Sequence, residues 1–135
     1  MSEGYKLTKF TGVGSRLSNY FISYNKSGFV LSSGFYQREG IKNYLKAILY
    51  FDKSKKSVGI KFTTQADAEG AFQLVHSNKG TTGNISARSF VIANKINNPK
   101  YFGRKTPKKI NYDNEGRIYV IDLLNKTAPG DSSSV

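Results

Sequence analysis

Lys46-Ala47-Ile48-Leu49-Tyr50-Phe51-Asp52-Lys53-Ser54-Lys55-Lys56-Ser57-Val58-Gly59-Ile60-Lys61-Phe62-Thr63 reads as two strands joined by a turn that carries one acid and three lysines. Strands over 44–51 and 57–63 place Leu45, Ala47, Leu49 and Phe51 on one face and Lys46, Ile48 and Tyr50 on the other. On the second strand Val58, Ile60 and Phe62 oppose Gly59, Lys61 and Thr63. One apolar face set against a face of charge, ring and glycine is the period-two signature of a half-buried strand. The reading assigns Leu45, Ala47, Leu49, Val58, Ile60 and Phe62 to the core. Gly59, inside a strand, marks either the close approach of another group, such as a nucleotide, or a bulge. A sheet offering lysines and aromatic rings together suits a single-stranded nucleic acid, whose bases stack while ammonium groups follow its phosphates. An ordinary hairpin with a soluble tip shows the same pattern, so the rest of the chain has to decide.

The charge favours the first reading. Lys and Arg total 21 against 9 acids, a formal +12 in 135 residues. Such an excess opposes compaction by self-repulsion and points to a polyanionic partner. Solubility alone is served at least as well by acids. Nine Tyr and nine Phe, without Trp, supply both core and stacking material. The length suits one domain with one core. The absence of cysteine excludes a disulfide, a thiolate metal site and a cysteine nucleophile, and fits a reducing compartment. No stretch resembles a signal peptide or approaches a membrane span, so the expectation is a soluble protein in the cytoplasm of a bacterial or phage-infected host cell.

The pattern divides the chain into an N-terminal arm and β-hairpin extension (1–43), a core (44–97), a basic loop with a C-terminal strand (98–124) and a disordered tail (125–135). In the extension, alternation on both sides of Asn25-Lys26-Ser27-Gly28 predicts a hairpin, followed by a helical turn stopped at Gly40. In the core a third strand runs over 71–76 with Phe72 and Leu74 inward. A flexible turn over 78–84 leads through Ile85-Ser86 into a helix at about 87–96, N-capped by Ser86. Ala87, Phe90, Val91 and Ile92 make the helix apolar over too wide an arc for a solvent face, which fits burial between the sheet and a second subunit. From Lys95 to Lys109 six basic residues occur without an acid, and Pro99 and Pro107 rule out a continuous helix.

Catalytic sets are missing from this reading. A single histidine, His76, without cysteine cannot build an ordinary zinc site, and it reads as a strand-end polar residue. Asp67 and Glu69 lack the lysine partner of a restriction-type nuclease and read as solvated loop charges. The glycines near 12–14 and 80–83 match neither a phosphate-binding loop nor a dinucleotide turn. The expectation is a binding protein, not an enzyme, with no cofactor and no metal.

The strand pair Ala47–Asp52 and Val58–Thr63, followed by Glu69-Gly70-Ala71-Phe72-Gln73-Leu74 and Ile85-Ser86-Ala87-Arg88-Ser89-Phe90, resembles the single-stranded DNA-binding core of the transcription coactivator positive cofactor four and its phage and bacterial homologues. The long N-terminal hairpin leaves room for the arrangement of the related Whirly proteins, with two packed sheets. The resemblance implies an α+β fold: a curved antiparallel sheet followed by a short helix, paired as a homodimer through that helix, with channels for unpaired strands. The 98–124 segment would extend the dimer interface. Carried onto this chain, Lys46, Tyr50 and Lys61 would line the channel. Lys53, Lys55, Lys56 and Lys79 would flank it, and Arg88, which opens the helix, would either join them or form an ion pair. The expected function is sequence-independent binding of single-stranded DNA in replication, recombination or transcription. An RNA-binding module is one alternative; a phage structural or assembly protein that meets an acidic partner is another.

Overall fold

In the computed structural model, residues 19–112, 114 and 116–124 are described. The expected loose arm before residue 19 and the tail from residue 125 lie outside the described residues.

Local chemistry sets most of the turns. The strands β1 (Ile22–Asn25) and β2 (Gly28–Leu31) form the first hairpin, closed where the Asn25 side chain accepts the Ser27 N–H at 2.8 Å. Helix α1 (Ser33–Arg38) starts where Ser32 Oγ accepts the Phe35 N–H at 3.1 Å. Gly40 stops it with φ of +65°, and a single 3-10 turn (Ile41–Asn43) follows. The central hairpin is β3 (Lys46–Asp52) and β4 (Ser57–Thr63), in unbroken register from Lys46 opposite Thr63 to Asp52 opposite Ser57. Its tip is tied by Asp52 Oδ1, which accepts from Ser54 Oγ at 2.9 Å and from the Lys55 N–H at 3.1 Å.

The next segment departs from the sequence expectation in three places. β5 (Phe72–Ser77) is followed by β6 (Thr82–Ser86), so the turn is over by Thr81 and Gly83 and Asn84 are strand residues. Weak local strand preference is overridden because β6 pairs on both sides, with β5 and with β2. Ser86 stays in this strand opposite Gly28 and Gln73, so Ala87 takes the N-cap position without a side-chain hydrogen bond. The helix α2 is therefore shorter than expected (Arg88–Ala93), and the chain leaves it through Lys95 at φ of 56°. The basic segment is also not a plain loop. It holds a 3-10 turn (Pro99–Tyr101), the short strand β7 (Gly103–Lys105) and β8 (Lys108–Tyr112), which pairs with β9 (Gly116–Asp122).

The nine strands of the described residues belong to one curled antiparallel sheet in the order β7-β1-β2-β6-β5-β3-β4-β9-β8. The two edges, β7 and β8, are consecutive in the chain with only Thr106 and Pro107 between them. That link reaches at most about 11 Å, so the sheet has to bend round until its edges approach. Lys105 seals the approach: it is 1% exposed and its ammonium donates to the Leu123 carbonyl beyond β9 at 2.9 Å. The result is a half-barrel with α1 and α2 as its only helices among the described residues.

The core fills the concave side with Ile22, Tyr24, Phe29, Leu31, Ala47, Val58, Ile60, Leu74, Ile85 and Ile121, joined by Phe35 and Tyr36 of α1. The apolar face read from the central hairpin thus points inward, with one correction. Leu45 precedes β3 and is 48% exposed, because the strand's side chains turn toward the core only from Ala47 onward. β3 pairs with β5 over just Lys46 and Ala47, leaving the rest of its edge to run past the neighbouring strand. α2 fills that gap. Phe90 packs against Phe29, Phe51 and Phe72 with ring centroids 6.1–6.4 Å apart, and Val91 is fully buried. The broad apolar arc of the helix is therefore largely used within its own chain, with Ile92 left 55% exposed.

Candidate nucleic-acid interface

Register places Lys46, Ile48, Tyr50 and Asp52 of β3 beside Thr63, Lys61, Gly59 and Ser57 of β4, all on the face away from the core. The same face continues across Val120 and Asp122 of β9 and onto Lys108, Ile110 and Tyr112 of β8. A groove of about 580 Å³ runs across it, with Gly59, Ile118, Val120 and Ile110 as its floor and Tyr50 and Tyr112 as its rings. Lys53, Lys55 and Asp52 stand at its mouth. Tyr112 is 51% exposed. Gly59 is needed for the shape: a β-carbon there would sit 3.0 Å from Ile118 Cγ2 and 3.5 Å from Tyr50 Cβ. The group that approaches Gly59 is thus the side chain of Ile118, and the unbroken β3–β4 register shows no bulge.

A second concavity, of about 420 Å³, opens where two hairpins part. β4 and β9 pair only from Ser57–Asp122 to Ile60–Tyr119, although both strands continue beyond that point. Residues 61–63 stay with β3 and residues 116–118 stay with β8, so a fork forms between Lys61 and Arg117. Tyr44, Phe62, Asn111 and Tyr119 complete its lining.

Behind the fork lies a hydrogen-bonded acid. Glu39, 5% exposed in its side chain, accepts from Tyr119 Oη at 2.8 Å and Tyr20 Oη at 2.9 Å and pairs with Lys109 Nζ at 3.1 Å. Burial pushes its carboxyl upward, but the bonds from Tyr119, Tyr20 and Lys109 more than offset this and hold it below its ordinary value. Burial and the Glu39 carboxylate push the Tyr119 phenol up to about 12. The neighbouring Tyr119 phenol pushes the Arg117 guanidinium above its ordinary value.

Of the residues singled out in sequence, Lys46, Tyr50 and Lys61 share the outer face, with Lys46 Nζ also donating to Gln73 Oε1 at 3.3 Å. Lys53 and Lys55 reach the groove mouth, whereas Lys56 is half-buried at the base of the turn. Lys79 lies elsewhere. β5 runs away from the level of Lys46, so the turn after Ser77 is at the opposite end of the sheet from the Lys53–Lys55 tip. Arg88 is exposed at the start of α2 and does not line the groove. His76 acts as a latch: its Nε2 bonds to the Tyr44 carbonyl at 2.8 Å and its Nδ1 to the Tyr36 hydroxyl at 2.6 Å. Asp67 and Glu69 are exposed, and among the described residues no group of three metal-ligating side chains comes together. No helix among the described residues is long and apolar enough to cross a membrane.

Sequence reasoning missed Tyr112, Ile110 and Val120, although Lys108, Ile110 and Tyr112 alternate with period two inside the stretch read as a basic loop. The chain matches no family model, no curated protein and no solved structure.

Proposed function

We propose that the protein binds single-stranded nucleic acid, DNA in the first instance, on the outer face of β3, β4, β9 and β8. The observation that carries this reading is the groove itself: two tyrosine rings over an apolar floor, with lysines at the mouth, on a chain of charge +12. Bases stack on Tyr50 and Tyr112, and Lys53, Lys55, Lys46, Lys61 and Lys108 follow the phosphates. Stacking accepts any base, so binding is sequence-independent. No helix among the described residues is built to enter a major groove, since α1 and α2 have six residues each. The homodimer belongs to the same reading, as does a role in replication, recombination or transcription.

The test is an anisotropy titration of a fluorescein-labelled oligothymidylate with the unaltered protein and with the Lys46→Glu, Lys61→Glu double variant. Salt-sensitive binding that the variant loses while keeping its circular dichroism spectrum supports the reading. Absence of binding by the unaltered protein overturns it and favours the assembly alternative. An oligouridylate competitor that wins over oligothymidylate would reassign the ligand to RNA.

A further inference from the structure

We infer that the fork between β4 and β9 is a phosphate-binding site with Arg117 as its principal ligand. It differs from the outer groove in position and composition. Arg117 and Asn111 are opposite partners in the β8–β9 ladder, on the face that carries Lys109 and Tyr119. Both line the fork, with Lys61 on the strand across the gap. The Arg117 guanidinium and the Asn111 carboxamide line one concavity of about 420 Å³ and together offer more N–H donors than the two oxygens of a carboxylate can accept. A phosphate, with three or more oxygens, matches that set, and the planar guanidinium fork fits two of them at once.

Among the described residues no acid lines the fork. Glu39, behind the fork, is held by Tyr20, Tyr119 and Lys109. Tyr119 donates a hydrogen bond to Glu39, and its hydroxyl favours the charged form of the Arg117 guanidinium. Phe62 and the Tyr44 ring supply walls that lower the local dielectric and strengthen each charged contact. The opening exists because the β4–β9 pairing stops at Ile60–Tyr119.

Two sources carry the same chemistry: free inorganic phosphate or nucleotide, and the terminal phosphate of a strand. Only the second rests on the single-strand reading. The probe is inorganic phosphate at constant ionic strength against chloride, followed by nitrogen-15 correlation spectra of the Arg117 Nε–H and the Asn111 carboxamide. Both resonances should move and saturate together. Arg117→Gln should weaken the saturation at least tenfold, and Asn111→Leu should weaken it several-fold with Arg117 still responding. Arg117 and Asn111 are exposed, and a dispersed spectrum verifies that each variant is folded. Diffuse, non-saturating shifts over the surface lysines, or an Arg117→Gln variant that saturates like the unaltered protein, overturn the proposal. A second arm compares oligothymidylates bearing a 5′-phosphate or a 5′-hydroxyl. Tighter binding of the phosphorylated strand, lost in Arg117→Gln, assigns the site to strand ends. Equal binding of the two strands assigns it to free phosphate. Saturation by inorganic phosphate without binding of either strand would sink the single-strand reading and leave this one standing.

Discussion

Glu39 keeps a charge in a nearly buried position because Tyr119, Tyr20 and Lys109 all reach its two oxygens. Its folded pKa lies below its ordinary 4.5, so the stability it contributes is present above that value and is lost as pH falls through the lower, folded one. Glu39→Gln should cost about 1–3 kcal/mol at neutral pH, since the carboxamide leaves Lys109 without its counter-charge. It should also flatten the acid arm of the stability curve. Urea unfolding between pH 3 and 7 measures both effects, and an unchanged acid arm would show that Glu39 is not its source. Tyr119 has the opposite sign. Its pKa is raised to about 12, so its contribution is present below the ordinary phenol value of 10.0 and is lost as pH rises toward 12. A late-titrating phenol, absent in Tyr119→Phe, should appear in the ultraviolet difference spectrum. None of this network was legible in the sequence, because Glu39 and Tyr119 are 80 positions apart and no local pattern joins them. The central hairpin was legible, because two strands separated by a short turn determine their own register and faces. Gly59 was legible only as an anomaly, since Ile118, which approaches it, comes from a distant strand.

At the scale of elements, α2 shows why an apolar helix does not by itself announce a second subunit. The pairing of β3 with β5 stops after Ala47, and Phe90 and Val91 fill the space that remains. Phe90→Ala should therefore destabilise the monomer by about 3 kcal/mol. Ile92→Asp, on the exposed side, should leave stability within about 0.5 kcal/mol. Thermal unfolding of both variants checks the contrast, and a large loss from Ile92→Asp would mean that this side is covered. β6 escaped the sequence reading because Thr82-Gly83-Asn84 has turn chemistry; only its position between β5 and β2 makes it a strand. β8 escaped for a related reason, since Pro107 and the lysines around it masked the alternation of Lys108, Ile110 and Tyr112. Gly59→Val probes the groove those elements create. Overpacking against Ile118 should cost about 1–3 kcal/mol, and it should weaken oligonucleotide binding while the sheet persists by circular dichroism.

The whole molecule brings the ends of its sheet together because β7 and β8 are neighbours in sequence and opposite edges in space. Lys105 holds that closure, so Lys105→Met should destabilise the fold by about 1–3 kcal/mol through the Leu123 carbonyl it leaves bare. Amide exchange at β7 and β9 should then accelerate before that of β3 and β4. Closure also bends the outer face, setting the β8 ring of Tyr112 and the β3 ring of Tyr50 in one groove. A charge of +12 spread over the chain would draw any nucleic acid, so affinity alone cannot distinguish the groove from general attraction. Competition can. With a labelled oligothymidylate bound at moderate salt, unlabelled single strand should displace it far more effectively than blunt duplex of equal nucleotide content. Tyr50→Ala and Tyr112→Ala should each weaken the single strand by about 1–3 kcal/mol and leave the duplex nearly unchanged. Equal or better displacement by duplex, with both tyrosine variants binding like the unaltered protein, would contradict the account.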